Sequence, residues 1–210
     1  MSVIPIRSES THEAGGTVAG VASAIVTAIN DPEGLGRVKL KLPWRHEKFE
    51  TDWCRIAMPM AGKDRGTFFL PEVNDEVLVA FDRDDIRYPY VLGQLWSRTD
   101  KPPKNDAANK NDLRVICSRK GHVVIFDDGS KGSIRIELND GKRIEIDDDG
   151  IVIDDKVNKL TFKSSGGAVT LEAGQTLTLK APTISVEASL KLDLKGGSAL
   201  NANATMVRIN

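Results

Sequence analysis

The chain has 210 residues, room for one large domain or two small ones, and its 29 basic and 30 acidic side chains leave a net charge of −1. That balance argues against a general nucleic-acid binder, which needs a basic patch or excess, and against a polybasic membrane-surface protein. Aromatic residues are only 5% of the chain and lie mainly in its first half. The second half must therefore find its burial elsewhere, most simply against other copies of the chain.

Residues 1–15 are polar, with Ser, Thr, Glu and a Gly15-Gly16 hinge, and are expected to form a flexible arm. The opening MSVIPIRSES has no basic region ahead of an apolar core, and the mild apolar run at 18–29 is broken by Gly20, Ser23 and Thr27. This reads as a strand, not a signal peptide, and no stretch is apolar enough to span a bilayer. Synthesis in the cytoplasm without a Sec signal is expected. Over 16–96, strands are predicted near 18–29, 37–42, 53–58, 68–70, 77–81 and 90–95. Turn residues such as Asn30-Asp31-Pro32-Glu33-Gly34 separate them. Short strands with Gly and Pro at the corners and no capped helical periodicity predict a small closed barrel.

Residues 97–112 read as a linker, because neither proline of Lys101-Pro102-Pro103-Lys104 can donate to a strand ladder. From 113 to 210 the pattern is one repeat. Apolar pairs two residues apart recur roughly every eight residues, among them Ile134/Ile136, Ile144/Ile146, Leu160/Phe162, Leu177/Leu179, Ile184/Val186 and Val207/Ile209. Period-two alternation gives a strand with one dry and one wet face, and fixed-period repetition gives a quasi-one-dimensional stack. Turn signals separate the strands at Asp127-Asp128-Gly129, Asn139-Asp140-Gly141, Asp148-Asp149-Gly150 and Gly166-Gly167. A single thin sheet would leave the apolar side wet. A one-chain solenoid could bury it, and three chains wound about a common axis suit the slim aliphatic residues better.

Few residues offer chemistry. Asp147-Asp148-Asp149 with Asp154-Asp155 supplies hard oxygen ligands of the kind calcium takes, but acidic turns are ordinarily just solvated. His12, His46 and His122 are scattered, and Asp75-Glu76 has no acid-base partner. Trp44, Trp53 and Trp96 could stack sugars or bases; packing in the barrel core and between subunits is the favoured reading. Cys54 and Cys117 are expected to be two reduced, partly buried thiols. No catalytic residue, cofactor site or metal site is assigned.

An ordered series of motifs carries a family resemblance. It runs through Gly34-Leu35-Gly36-Arg37-Val38-Lys39-Leu40, Leu42-Pro43-Trp44, Trp53-Cys54-Arg55-Ile56 and Met58-Pro59-Met60-Ala61-Gly62. It continues through residues 66–81 and Arg87-Tyr88-Pro89-Tyr90-Val91-Leu92-Gly93 to Lys101-Pro102-Pro103. In these the chain resembles the phage baseplate assembly protein V family and the matching segment of VgrG-type spikes of type VI secretion. The resemblance implies an all-β fold: an N-terminal OB-fold barrel at 16–96 followed by an intertwined homotrimeric β-helix spike at 113–210. It further implies a structural central spike, not an enzyme, assembled into a phage tail or contractile injection particle. The trimer would dock on a separate trimeric hub below the tail tube and pierce the target envelope without stable membrane insertion. A PAAR-type tip protein would sit on the blunt C-terminal platform of Met206, Val207, Ile209 and Asn210, with effector cargo left open. The family position of Asn74 is glycine, a place where Asn can keep a left-handed turn. Two rival readings are an OB-type nucleic-acid-binding module and a trimeric β-helix acyltransferase. The first wants a basic groove. The second wants hexapeptide spacing and a catalytic histidine within the repeat.

Overall fold

The computed structural model describes residues 16–46, 48–103 and 110–208. The arm at 1–15, most of the linker's centre and the terminal Ile209 and Asn210 lie outside the described residues. The chain divides into two units, 1–105 and 106–210. Among the described residues both are built from strands, with a single 3-10 turn at Asp82–Asp84. No helix among them is long and apolar enough to cross a membrane.

The first unit contains β1 (Val21–Ala28), β2 (Lys39–Lys41), β3 (Arg55–Ile56), β4 (Ala61–Gly62), β5 (Arg65–Gly66), β6 (Glu76–Phe81) and β7 (Pro89–Gln94). Five of them form one sheet in the order β2-β1-β6-β7-β3, with β3 parallel to β7 and the other pairs antiparallel. The sheet closes on itself where Val38 and Cys54 exchange backbone hydrogen bonds of 3.0 and 2.8 Å. Closure removes both sheet edges. Alternation then decides the interior: Ala24 and Val26 of β1, Leu40 of β2 and Val77 and Val79 of β6 point inward, fully buried with Val38, Leu42 and Val91. Among the described residues Thr51 is the one buried polar residue; its hydroxyl accepts from the Leu40 amide at 3.0 Å and lies 3.1 Å from the Cys54 sulfur.

Two expectations fail in this unit. No strand forms at 68–70; the chain instead makes the β4–β5 hairpin at Ala61–Gly66, whose turn has Asp64 at φ 55. Phe68 and Phe69 stand exposed beside it, so this short run meets no ladder partner. The tryptophans do not fill the core: Trp44 and Trp96 are 48% and 71% exposed, and Trp53 is half-buried under Lys39. Aliphatic side chains already fill the interior of so small a barrel.

The second unit contains β8 (Leu113–Cys117), β9 (Val123–Asp127), β10 (Ser133–Glu137), β11 (Arg143–Asp147), β12 (Gly150–Asp154), β13 (Lys159–Lys163) and β14 (Ala168–Glu172). Each pairs antiparallel with its sequence neighbours, giving a seven-stranded meander. The predicted turn residues provide the connections: Gly121, Gly141 and Gly166 take φ values of 82, 85 and 83. Over 113–172 the strands pair within one chain, because two- to five-residue loops bring each strand back beside the last. From 173 to 208 no described residue belongs to a strand.

Candidate functional site

Register places the apolar repeat in two columns on one face of the meander. Phe126, Ile134, Ile146, Ile151, Phe162 and Val169 lie side by side, with Arg114 at the head of the column. Ile116, Val124, Ile136, Ile144, Ile153, Leu160 and Leu171 form the second column. The opposite face carries Glu137, Arg143, Asp154, Lys159 and Glu172 in line, charges alternating from strand to strand. Beside them Arg135 pairs with Glu145, and Glu145 also accepts from Arg143 at 3.1 Å.

The burial of the two faces is inverted. The six isoleucines at 134, 136, 144, 146, 151 and 153 are 36–49% exposed, while the Glu145 and Asp154 side chains are each only 17% exposed. Ion pairing folds the charged side chains down onto their face and leaves the aliphatic face bare. A contiguous apolar surface of this extent marks an interaction site. The segment beyond β14 repeats the pattern without a sheet: Leu177, Leu179, Ile184, Val186, Leu190, Leu192, Leu194, Leu200, Met206 and Val207 are 51–99% exposed. Of the predicted platform residues, Met206 and Val207 are therefore bare, and Ile209 and Asn210 lie outside the described residues.

The acidic turns are occupied with their own backbones. Asp147 accepts from the amides of Asp149 and Gly150 at 2.9 and 3.0 Å. Asp155 accepts from the Asn158 and Val157 amides at 2.6 and 2.9 Å, and these bonds together with the Asn158 side chain hold its carboxyl at about 2. Among the described residues no three His, Cys, Asp or Glu side chains converge to hold a metal. His46 receives the Lys48 amide and His122 the Asn139 amide, each at 3.3 Å, so both act as loop acceptors. Asp75 accepts from the Glu72 amide at 2.8 Å within the turn that Asn74 enters at φ 79, the left-handed geometry expected of it.

On the barrel, the motif 31–37 is a turn locked by one carboxylate. Gly34 and Gly36 at φ 66 and 69 turn successive amides toward Asp31, which accepts from Glu33, Leu35 and Arg37 at 3.1, 3.0 and 3.3 Å. The Arg37 guanidinium completes the site at 2.9 and 2.7 Å and also reaches Glu33. Arg37 beside Asp31 holds its carboxyl well below the usual carboxylate range, against the opposing pull of burial. Sequence reading saw this motif as a family signature; its physical content is a closed anionic turn that fixes the entry to β2. The two cysteines are free, Cys54 buried and Cys117 exposed. Burial pushes the Cys54 thiol up to about 11.

Residues 22–96, which span β1 to β7, match the family described as the type VI secretion system/phage-baseplate injector OB domain. The barrel of this chain is similar to that injector OB domain. Its relatives include the type VI secretion system spike protein VgrG2a of Pseudomonas aeruginosa, 39% identical over 72 residues, which are 32% of this chain and 9% of that protein. VgrG3 of Vibrio cholerae is 28% identical over 114 residues, 51% of this chain and 11% of the relative. VgrG1b of Pseudomonas aeruginosa is 26% identical over 126 residues, 54% and 17% of the two chains. The chain thus spans less than a fifth of the length of these relatives.

Proposed function

We propose that this chain is the central spike of a contractile tail or injection machine, working as a homotrimer with a mechanical and non-enzymatic role. The observation that carries the reading is the inverted burial of the meander, with isoleucine columns bare and charged side chains tucked in. Three sheets facing a common axis would cover those columns with one another. The segment 173–208 would gain the strand partners it lacks by winding with the same segment of two neighbouring chains. The inward positions there are slim, as a three-fold axis requires.

In this reading the barrel unit docks on a trimeric hub below the tail tube, and the rod transmits the thrust of contraction to the envelope. The C-terminal end, with Met206, Val207, Ile209 and Asn210, would form the platform for a PAAR-type tip protein. The likeness of the barrel to the injector OB domain and the spike names of its relatives support the role.

The reading is tested in a strain that builds the machine. Deleting the gene for this chain should abolish killing or delivery, and the unmodified chain should restore it. A chain carrying Ile146→Lys should fail to restore it even though its barrel is intact. Full restoration by Ile146→Lys would overturn the reading.

A further inference from the structure

The connections of the meander alternate between its two lateral edges, and the two edges differ in charge. Along one edge run the turns 118–122, 138–142 and 155–158, which hold Arg119, Lys120, Lys142 and Lys156 against Asp140 and Asp155. These turns stack: the Asn139 amide donates to His122 at 3.3 Å, and the Lys156 ammonium lies over Gly141. Along the other edge run 128–132, 148–149 and 164–167, which hold Asp128, Asp148 and Asp149 against Lys131. They stack as well, Lys131 reaching Asp149 at 3.7 Å and the Ser164 amide donating to the Asp149 carbonyl at 3.0 Å.

The charges that distinguish the edges are largely uncommitted. Among the described residues none of Lys120, Lys156 and Asp148 makes an ion pair. The Lys131 and Asp149 side chains are 83% and 84% exposed, and an ion pair so open to water is worth little. Lys142 keeps its bond to Asp140 at 2.8 Å.

The trimer reading, on which this inference rests, turns three isoleucine faces to a common axis. Rotation about a three-fold axis is heterologous, so one edge of each sheet meets the opposite edge of the next. It also keeps equal heights along the stack. The 148–149 turn, between β11 and β12, then falls midway between the 138–142 and 155–158 turns of the neighbour, which are two strands or about 9.6 Å apart.

We propose that the acidic edge of each copy docks on the basic edge of the next, with Asp148 and Asp149 seated beside Lys156 of that neighbouring copy. The pairing fixes the direction of the chains. A neighbour turned end for end would set like edge against like edge, acid on acid or base on base. The isoleucines supply the affinity, and the edges choose the orientation.

The test reads the urea concentration at which the full chain loses its trimer mass, by light scattering. It compares the unmodified chain, Asp148→Lys, Lys156→Glu and the two substitutions together. Each single substitution sets like charges at all three corners and should lower the midpoint by about 0.5 M or more. The combined variant swaps the signs and should return to within about 0.2 M of the unmodified chain. Equal midpoints for all four, or a combined variant as weak as its two losses added, overturn the edge pairing and leave the trimer standing. Monomer mass in the unmodified chain without urea overturns the trimer reading beneath it. If a single variant fails to fold, a disulfide decides. Asp148→Cys with Lys156→Cys, in a chain carrying Cys117→Ser, should oxidise to covalent trimers. Within one chain the five residues of β12 hold these two positions about 17 Å apart, too far for a disulfide. Covalent dimers as the end product, or a trimer that does not cross-link, overturn the proposal.

Discussion

Placing lysine at Ile146 separates a covered apolar face from a wet one. Ile146 is 45% exposed in the single chain, and full burial of an isoleucine is worth about 1.5–3 kcal/mol, so covering the remainder contributes roughly 1 kcal/mol. Six isoleucines exposed to a similar degree would contribute on the order of 6 kcal/mol per chain and about 18 kcal/mol per trimer. Each of the two associations that build a trimer costs on the order of 4–15 kcal/mol, so the isoleucines offset that cost with little to spare and the loss of one layer is felt. One lysine per chain removes the local gain and buries three like charges in one layer, at several kcal/mol each. Ile146→Lys should therefore dissociate the trimer at micromolar concentration, seen by light scattering coupled to size exclusion. Thr170→Lys, on the opposite face, is the control and should leave the mass unchanged. If the apolar face is wet in solution, Ile146→Lys is an ordinary surface substitution within about 0.5 kcal/mol of neutral. Identical mass and melting for both variants would refute the reasoning.

Three further outcomes follow from the barrel. Leu40→Ala empties a fully buried site and should cost about 2–5 kcal/mol, read as a lower denaturant midpoint of the barrel transition. Asp31 and Asp85 have folded values depressed by Arg37 and Arg87, Asp85 to about 2. A depressed carboxylate stabilises above its unfolded value and loses that contribution as pH falls toward the folded one. Barrel melting should thus be flat above about pH 5, fall between about pH 4 and 2, and lose part of that acid slope in Asp31→Asn. Thiol labelling at pH 8 should modify Cys117 quickly and Cys54 only on unfolding, because Cys54 is buried and titrates near 11; two fast thiols per chain would contradict the barrel core.

The sequence made the meander legible because its signals are local. Period-two alternation fixed which residues share a face, and Asp-Gly pairs such as Asp128-Gly129 and Asp140-Gly141 fixed where the chain turns back. The same locality concealed the pairing. Whether Ile134 meets Ile146 of its own chain or of a neighbour depends on loop length, and the short loops at 138–142 and 148–149 favour the same chain. In the barrel the five sheet strands were readable, but the β4–β5 hairpin was not. Ala61-Gly62-Lys63-Asp64-Arg65-Gly66 has no apolar alternation, and its turn depends on Asp64 taking a positive φ. The tryptophans misled because size suggests burial, whereas the interior of this barrel accommodates valine and leucine. The Asp31 turn could have been found from sequence alone: a carboxylate followed by Gly34, Gly36 and Arg37 is the pattern of a side chain collecting successive amides.

Sedimentation velocity of the unmodified chain, read for mass and shape together, tests the central claim most directly. The account predicts one elongated species near three times 22.9 kDa, about 69 kDa, that persists on dilution. A single species of 22.9 kDa would contradict it, leaving the isoleucine columns wet and the segment 173–208 without partners.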